Sequence, residues 1–536
     1  MFWKASMASY ITGHMLTPDG CVLRKGIEIM HTNLLDYLKA TSDKVPDKTA
    51  VIDGDRNISF RSLSEQAKIV SCIINRKVGG VIRKPIAVFL DKRIELIVSD
   101  IAIIYCGNAY MNLDTKMPIQ RISNILKLIE PELIITNHQY IAKLEDVWPS
   151  EKILNIDLID FDNETYSQDV LDHILGRVID TDPLCIINTS GSTGVPKGVV
   201  LNHRGFIDFT EWAIHPTGIG ENEIIGSLAP TVFDAFSFEL CMLMALGSTI
   251  VIVPDGLAAF PARILQLLQD HHVTFIVWVP TIMVNIANMD LLSKIQLTDL
   301  QSVWFLGEVF PTRQFNYWRK ALNQARFVNL YGPAEITVAC TYFIVDRELS
   351  DDEPIPIGVA YKNSDVFILN DQDKVCGVNE EGELCVRGSS LAMGYYNNPE
   401  KTAVAFVQNP LNHSYPEVIY RTGDIALVND RGEFIFKGRK DFIIKHSGYR
   451  IELGEIEHVI INTLKLVKNG CVVYSPDKKE LTFYYESDKD ISVADFRSNI
   501  GTILPKYMIP HVYKKLEQLP RNTNGKIDRQ KLKELT

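Results

Sequence analysis

Short runs rich in Val, Ile and Leu alternate along the chain with longer stretches whose apolar residues recur at helical spacing. "TAVIDG" (49–54) precedes "FRSLSEQAKIVSCIINRK" (60–77), and "PIAVFL" (85–90) precedes "RIELIVSDIAIIYCG" (93–107). "STIVIVP" (248–254) precedes "PARILQLLQDHH", while "VTFIVWVP" (273–280) and "QSVWFLG" (301–307) each lead into a helical stretch. The short β-branched runs read as strands and the periodic stretches as amphipathic helices. Repeated strand–helix alternation predicts an α/β fold of parallel-rich sheets flanked by helices. An all-α chain would not carry so many short Val/Ile runs. No repeat of fixed period and no low-complexity tract is present.

The pattern changes after about Tyr420. "VIYRTGDIALVNDRGEFIFKGRKDFIIKHSGYRIELGEIEHVI" reads as short strands punctuated by D-R-G and K-G-R turns, then a helix from near Glu452. Strands "NGCVVYS" and "ELTFYYES", a helix near "VADFRSNIGTIL" and a terminal "LPRNTNGKIDRQKLKEL" follow. This is α+β material, with its boundary placed near "KGRKD" (437–441), a charged turn between two apolar strands. The expected organisation is a large core over 30–437 and a small C-terminal domain over 438–536. Residues 1–29 have neither the charged start nor the long apolar stretch of a signal peptide. They read as an N-terminal extension or leader, with periodic sequence beginning near Met30.

At 536 residues the chain exceeds what one core organises. Its net charge of -11 provides no basic field, which argues against nucleic acid as the main partner. Any phosphate must therefore be held locally. Nine cysteines scattered from Cys21 to Cys471, with no C-x-x-C pair, form neither a zinc pattern nor a disulfide framework, so a cytoplasmic location is expected. No apolar run approaches the roughly 18 residues of a membrane span.

One stretch stands out chemically. In "INTSGSTGVPKGVVLNH" (187–203), three glycines, four hydroxyls and one lysine fall between Thr189 and Gly198. A surface turn is the plain reading. The sharper one is a loop whose N–H groups and hydroxyls wrap a phosphate chain, with Lys197 adding charge. It is not a Walker loop, because Pro196 rather than glycine precedes the lysine. Further on, "NLYGPAEITVACT" (329–341) sets Glu335 where a loop enters a strand. "YRTGDIA" carries Asp424 after a Thr-Gly turn, suited to accept ribose hydroxyls. "GRKDF" offers Arg439, and "TNGKIDR" puts Lys526 at the tip of an Asn-Gly turn. Each alone is also an ordinary turn or solvated residue.

Together these stretches resemble the adenylate-forming superfamily, in particular the amino-acid adenylation domains of non-ribosomal peptide synthetases. The likeness runs from about Met30 to Thr536 and rests on six motifs in order: "AYMNLDTKMPIQRI", "TSGSTGVPKG", "NLYGPAE", "GELCVRGSSLAMGYYNNPEKT", "YRTGD" and "NGKIDR". Within it, "GNAYMNLDTKMP", "FLGEVFP", "AEITVACT" and "KHSGYRIELGEIE" are similar to the D-alanine–carrier-protein ligases, which act in cell-wall polymer modification. Departures are Ala334 for the usual threonine, Ile443 for the common glutamine and Ser192 for a threonine.

The resemblance implies a ligase in which a substrate carboxylate attacks the α-phosphate of ATP. Pyrophosphate leaves, and the acyl group then passes from the acyl-adenylate to the phosphopantetheine thiol of a carrier protein. It places Thr189, Ser190, Gly191, Ser192, Thr193, Gly194 and Lys197 on the β- and γ-phosphates and Glu335 on Mg²⁺. Asn329 would read the adenine amino group, with Tyr331 and Gly332 near the base. Asp424 would take the ribose hydroxyls beside Arg439. Lys526 would bridge the carboxylate and the α-phosphate. The small domain would swing about a hinge at Asp441, after which Lys445 faces the site for the thioester step. Because the chain stops ten residues after Lys526, the carrier is expected either as a separate partner or on a longer synthetase.

Asp234 in "TVFDAFSFEL" would anchor the α-ammonium group, its plainer alternative being a helix N-cap. A buried carboxylate suits an ammonium group and is costly opposite a fatty chain, which disfavours an acyl- or aryl-CoA ligase. An inactive binding module is the other alternative, opposed by intact Lys526, Asp424 and Glu335. Motif alignment lines the side-chain pocket with Ala235, Phe238, Val277, Trp304, Leu306, Leu330, Val338 and Ala339. None is charged, so a small apolar amino acid is expected: alanine first, then glycine, 2-aminobutyrate or valine, with chirality open.

Overall fold

The computed structural model describes residues 31–190, 196–440, 442–487, 490–521 and 527–535, with the two short strands His14–Leu16 and Val22–Arg24. Two large sheets and the helices around them make up most of the chain. One has the strand order Gly394–Tyr395, Lys197–Asn202, Pro183–Thr189, Ala109–Asn112, Pro85–Phe89, Leu133–Thr136, Ile153–Asn155. From Pro183–Thr189 onward its neighbours are parallel. The other runs Val359–Ala360, Thr341–Ile344, Arg326–Tyr331, Ser302–Leu306, Phe275–Trp278, Ile224–Ser227, Thr249–Ile252, Thr49–Asp53, Arg56–Ser59. It is parallel from Arg326–Tyr331 through Thr49–Asp53. This is the α/β fold that the alternating pattern predicts.

Helix Ile94–Tyr105 explains how the sheets share a core. All its residues but Glu95 are buried, because it packs on Pro85–Phe89 and Ala109–Asn112 of one sheet and on Thr49–Asp53 of the other. A helix so largely apolar belongs in such an interior, where Asp100 Oδ2 is met by the Asn112 amide at 2.9 Å. Helix Phe60–Lys77 lies against it and spans the stretch read from the sequence. Ser59 starts it, its Oγ accepting from the Ser62 N–H at 3.3 Å.

Strands Ser364–Leu369, Gly382–Gly388, Val418–Val428, Phe406–Gln408 and Phe434–Arg439 form an antiparallel sheet. Val418–Val428 is one long strand rather than the short ones expected. It pairs with Phe434–Arg439, so the chain up to Arg439 belongs to this sheet. Among the described residues, Ile443–His446 then pairs with Tyr449–Glu452 alone. Beyond it, Asn469–Ser475, Glu480–Glu486 and Val512–Lys515 form a three-stranded sheet. Helices Leu453–His458 and Val493–Ile500 cover it around a core of its own that includes Ile456, Val472, Phe483 and Phe496.

Candidate active site

Three neighbouring parallel strands end on one cavity. Val277, Trp278 and Val279 come from the end of Phe275–Trp278, Leu306 and Gly307 from the end of Ser302–Leu306, and Gly332, Pro333 and Ala334 from just beyond Arg326–Tyr331. The carboxyl ends of parallel strands are where open α/β sheets bind ligands. Asp234 and Ala235 close one side, Thr189 and Ser190 another, and Lys445, Gly448, Tyr449 and Arg450 of the Ile443–His446/Tyr449–Glu452 hairpin cover it.

Asp234 opens helix Asp234–Leu246, but Phe233 holds the cap position. The aspartate instead reaches across the cavity wall, Oδ2 accepting the N–H of Val338 at 2.9 Å. Burial raises its carboxyl pKa, and the Val338 N–H partly offsets that. Ala235, Val277 and Leu306 stand with it on the wall, whereas Phe238, Trp304, Leu330, Val338 and Ala339 do not. Trp304 is fully buried and stacked on Phe238 with ring centroids 5.7 Å apart, its Nε1 donating to Ser302 Oγ at 3.0 Å. These rings fill space behind the wall.

The phosphate-loop candidates meet the C-terminal hairpin. Ser190 Oγ donates to the Arg450 carbonyl at 2.7 Å and accepts the Glu452 N–H at 3.1 Å. Lys197 Nζ donates to Glu452 Oε1 at 2.8 Å and sits 5.2 Å from the Tyr395 ring centre. Thr189 Oγ1 and both side-chain polar atoms of Asn188 are buried with no partner among the described residues. Unpartnered polar atoms beside a cavity fit a ligand with polar atoms of its own. Gly191, Ser192, Thr193, Gly194, Asp441 and Lys526 lie outside the described residues.

Glu335 does not enter a strand. It sits in the single turn Ala334–Ile336, fully buried, with Oε2 accepting from Arg450 Nη1 at 2.7 Å and Oε1 from the Tyr395 hydroxyl at 2.8 Å. Burial works to raise its pKa, but Arg450, then Lys197 and the Tyr395 hydroxyl, overcome it and hold the carboxyl at about 2. A magnesium ion takes one or two carboxylates and completes its shell with phosphates and water. Glu335 has the donor chemistry for that role, and here Arg450 takes its Oε2.

Asp424 is buried and accepts from the Tyr331 hydroxyl and from Arg439 Nη1. Asn329 Nδ2 donates to the Pro356 carbonyl at 2.8 Å. Lys445 Nζ lies 5.8 Å from the Tyr331 ring centre, and burial lowers its pKa against the pull of Asp424. Arg450, Glu452 and Tyr395 are participants that sequence reading did not single out. The first two lie inside the "KHSGYRIELGEIE" stretch, so a signal was available. Tyr395 lies inside "GELCVRGSSLAMGYYNNPEKT", so it too stood within a marked stretch.

The model of the AMP-binding enzyme family matches residues 38–396. Zwittermicin A synthase ZmaJ of Bacillus cereus is 29% identical over 497 residues, 91% of this chain and 92% of that protein. Tyrocidine synthase 1 of Brevibacillus parabrevis is 30% identical over 497 residues, 92% of this chain, which spans only 44% of that longer protein. The crystal structure of the Vibrio cholerae adenylation domain AlmE in complex with glycyl-adenosine-5'-phosphate has a TM-score of 0.81 at 20% identity, covering 95% of this chain and 99% of that one.

Proposed function

The chain belongs to the AMP-binding enzyme family, and on that premise we propose that it activates a small apolar amino acid as aminoacyl-AMP and loads it on a carrier protein. The observation that carries the reading is Asp234, a half-buried carboxylate on a cavity wall shared with Ala235, Val277 and Leu306. A carboxylate so placed is costly unless a cation meets it, and an α-ammonium group is the cation a small amino acid brings. Trp304 and Phe238, packed behind the wall, leave little depth for a long side chain. The glycyl-adenylate held by AlmE supports the same class of substrate.

In the first half-reaction the substrate carboxylate attacks the α-phosphorus of ATP, and the bond to the pyrophosphate oxygen breaks. Two anions meet, so the chain must supply donors and cations rather than a base. Thr189, Ser190, Ser192, Thr193 and Lys197 hold the departing phosphates, with Gly191 and Gly194 letting the backbone approach. Asn329, Tyr331 and Gly332 hold the base, and Asp424 with Arg439 the ribose. Lys526 neutralises the attacking carboxylate and the α-phosphate together. Magnesium, when bound at Glu335, offsets charge on the leaving phosphates.

In the second half-reaction a phosphopantetheine thiolate attacks the acyl carbon and AMP leaves. The arrangement in which Glu452 sits on Lys197, Arg450 on Glu335, and Lys445 on the cavity supports a role in this step. Carboxylates and cations of the small domain there replace the partners that ATP and magnesium would use. The small domain, whose own strands begin beyond Arg439, turns on the core about Asp441. The setting is non-ribosomal peptide or related biosynthesis in the cytoplasm. Mass spectrometry of a reaction with ATP, magnesium, alanine and a phosphopantetheinylated carrier tests this. Alanyl-AMP and a carrier heavier by one alanyl group are expected. Loading without ATP, or no adenylate at all, contradicts it.

A further inference from the structure

The turn after Glu335 runs against the preferences of its own residues. Thr337 and Val338 both take positive φ, +48° and +66°, a region β-branched side chains rarely enter. The N–H of Ala339 reaches back to the carbonyl of Thr337 at 2.8 Å, so Val338 centres a three-residue γ-turn of the rare, strained hand. Such a conformation persists only where its surroundings over-determine it.

Two contacts hold Thr337. Its Oγ1 donates to the Ser390 carbonyl at 2.9 Å. On its other side stands Gly205, in the first turn of helix His203–Thr217, where a Cβ would fall 2.8 Å from Thr337 Oγ1 and 3.3 Å from its Cβ and Cγ2. Glycine weakens a helix relative to alanine, and Gly205 has no positive φ that requires it. The close approach of Thr337 is what does. Held in this way, the turn aims the Val338 N–H at Asp234 Oδ2. The turn thus fixes one oxygen of the carboxylate, alongside the backbone N–H groups of Asp234 and Ala235 at the helix start.

We infer that Gly205 and Thr337 are positioning residues for the amine subsite. By wedging the Thr337–Val338 turn in its strained form they point the Asp234 carboxylate at the substrate ammonium group, and so determine the selection of amino acids over carboxylic acids that lack the amine. The inference rests on Asp234 as ammonium anchor. If the wedge is lost, the turn relaxes, the Val338 N–H swings away and the carboxylate loses its aim. Glu335 stands two residues before the turn and Gly332 packs against Val338 and Ala339, so any effect on ATP must be read separately, through its KM.

The test compares alanine with propionate in ATP–pyrophosphate exchange for the unaltered enzyme and for Gly205→Ala, Thr337→Val and Thr337→Ser. Thr337→Val keeps the branched shape and removes the hydroxyl; Thr337→Ser keeps the hydroxyl. The alanine-to-propionate ratio of kcat/KM is expected to fall at least ~10-fold in Gly205→Ala and Thr337→Val, the scale of a charge-assisted bond. KM for ATP should stay within about twofold, and Thr337→Ser should keep most of the selectivity. If Gly205→Ala does not fold, the Val and Ser pair carries the comparison. Equal losses for alanine and propionate, or a matching rise in KM for ATP, would mean a merely structural role and overturn the inference alone. An unaltered enzyme that takes propionate as readily as alanine would overturn the Asp234 reading and this one with it.

Discussion

Asp234 and Trp304 show what a single residue can and cannot disclose. Asp234 was legible because an acid among "TVF" and "AFSFEL" must be buried with its neighbours, and a buried charge demands a reason. That its partner is the Val338 N–H was not legible, since β-branched residues argue against the turn that presents it. Replacing Asp234 with Asn preserves an acceptor for that N–H and removes the charge. Selectivity for alanine over propionate should then fall by about 1.5–3 kcal/mol, roughly 10- to 150-fold, read from kcat/KM in pyrophosphate exchange. Trp304 was expected on the pocket wall and stands behind it, because its indole is stacked on Phe238 and tied to Ser302. Trp304→Ala should open a cavity there, admit leucine or phenylalanine at measurable rates, and cost about 3–5 kcal/mol of stability by denaturant unfolding.

At the scale of elements, period and caps carried most of the fold. Phe60–Lys77 and Asn469–Ser475 fall on the stretches their patterns marked, the helix burying one face and the strand both. The hairpin Ile443–His446/Tyr449–Glu452 was legible as strands, but its docking on Ser190, Lys197 and Glu335 was not. Those contacts join residues far apart in sequence, and no local pattern encodes them. The docking has a pH signature. Arg450 holds Glu335 down at about 2 from its ordinary 4.5, so the stabilisation is complete above about 4.5 and is lost as pH falls towards 2. The thermal midpoint of the unaltered protein should therefore exceed that of Arg450→Ala by a constant margin at neutral pH. The margin should shrink on acidification through that window. A margin that grows as pH falls would contradict the pairing.

At the scale of the whole molecule the proposal is that one cavity serves two half-reactions through movement of the small domain. The composition and the ordered motifs pointed to a large core and a small lid, while the arrangement adopted by the lid is a tertiary property that no motif states. Asp441→Pro restricts φ at the proposed hinge. Adenylate formation should survive in it while carrier loading collapses, and equal loss of both would mean damage to the fold or the ATP site. The most direct test of the central claim is amino-acid-dependent ATP–pyrophosphate exchange, run over all the common amino acids. The account predicts exchange led by alanine, with glycine, 2-aminobutyrate or valine next, because neighbours differing by one methylene are separated by only about 1–3 kcal/mol. A preference for Phe, Tyr, Lys or Glu, or no exchange with any amino acid, would contradict it.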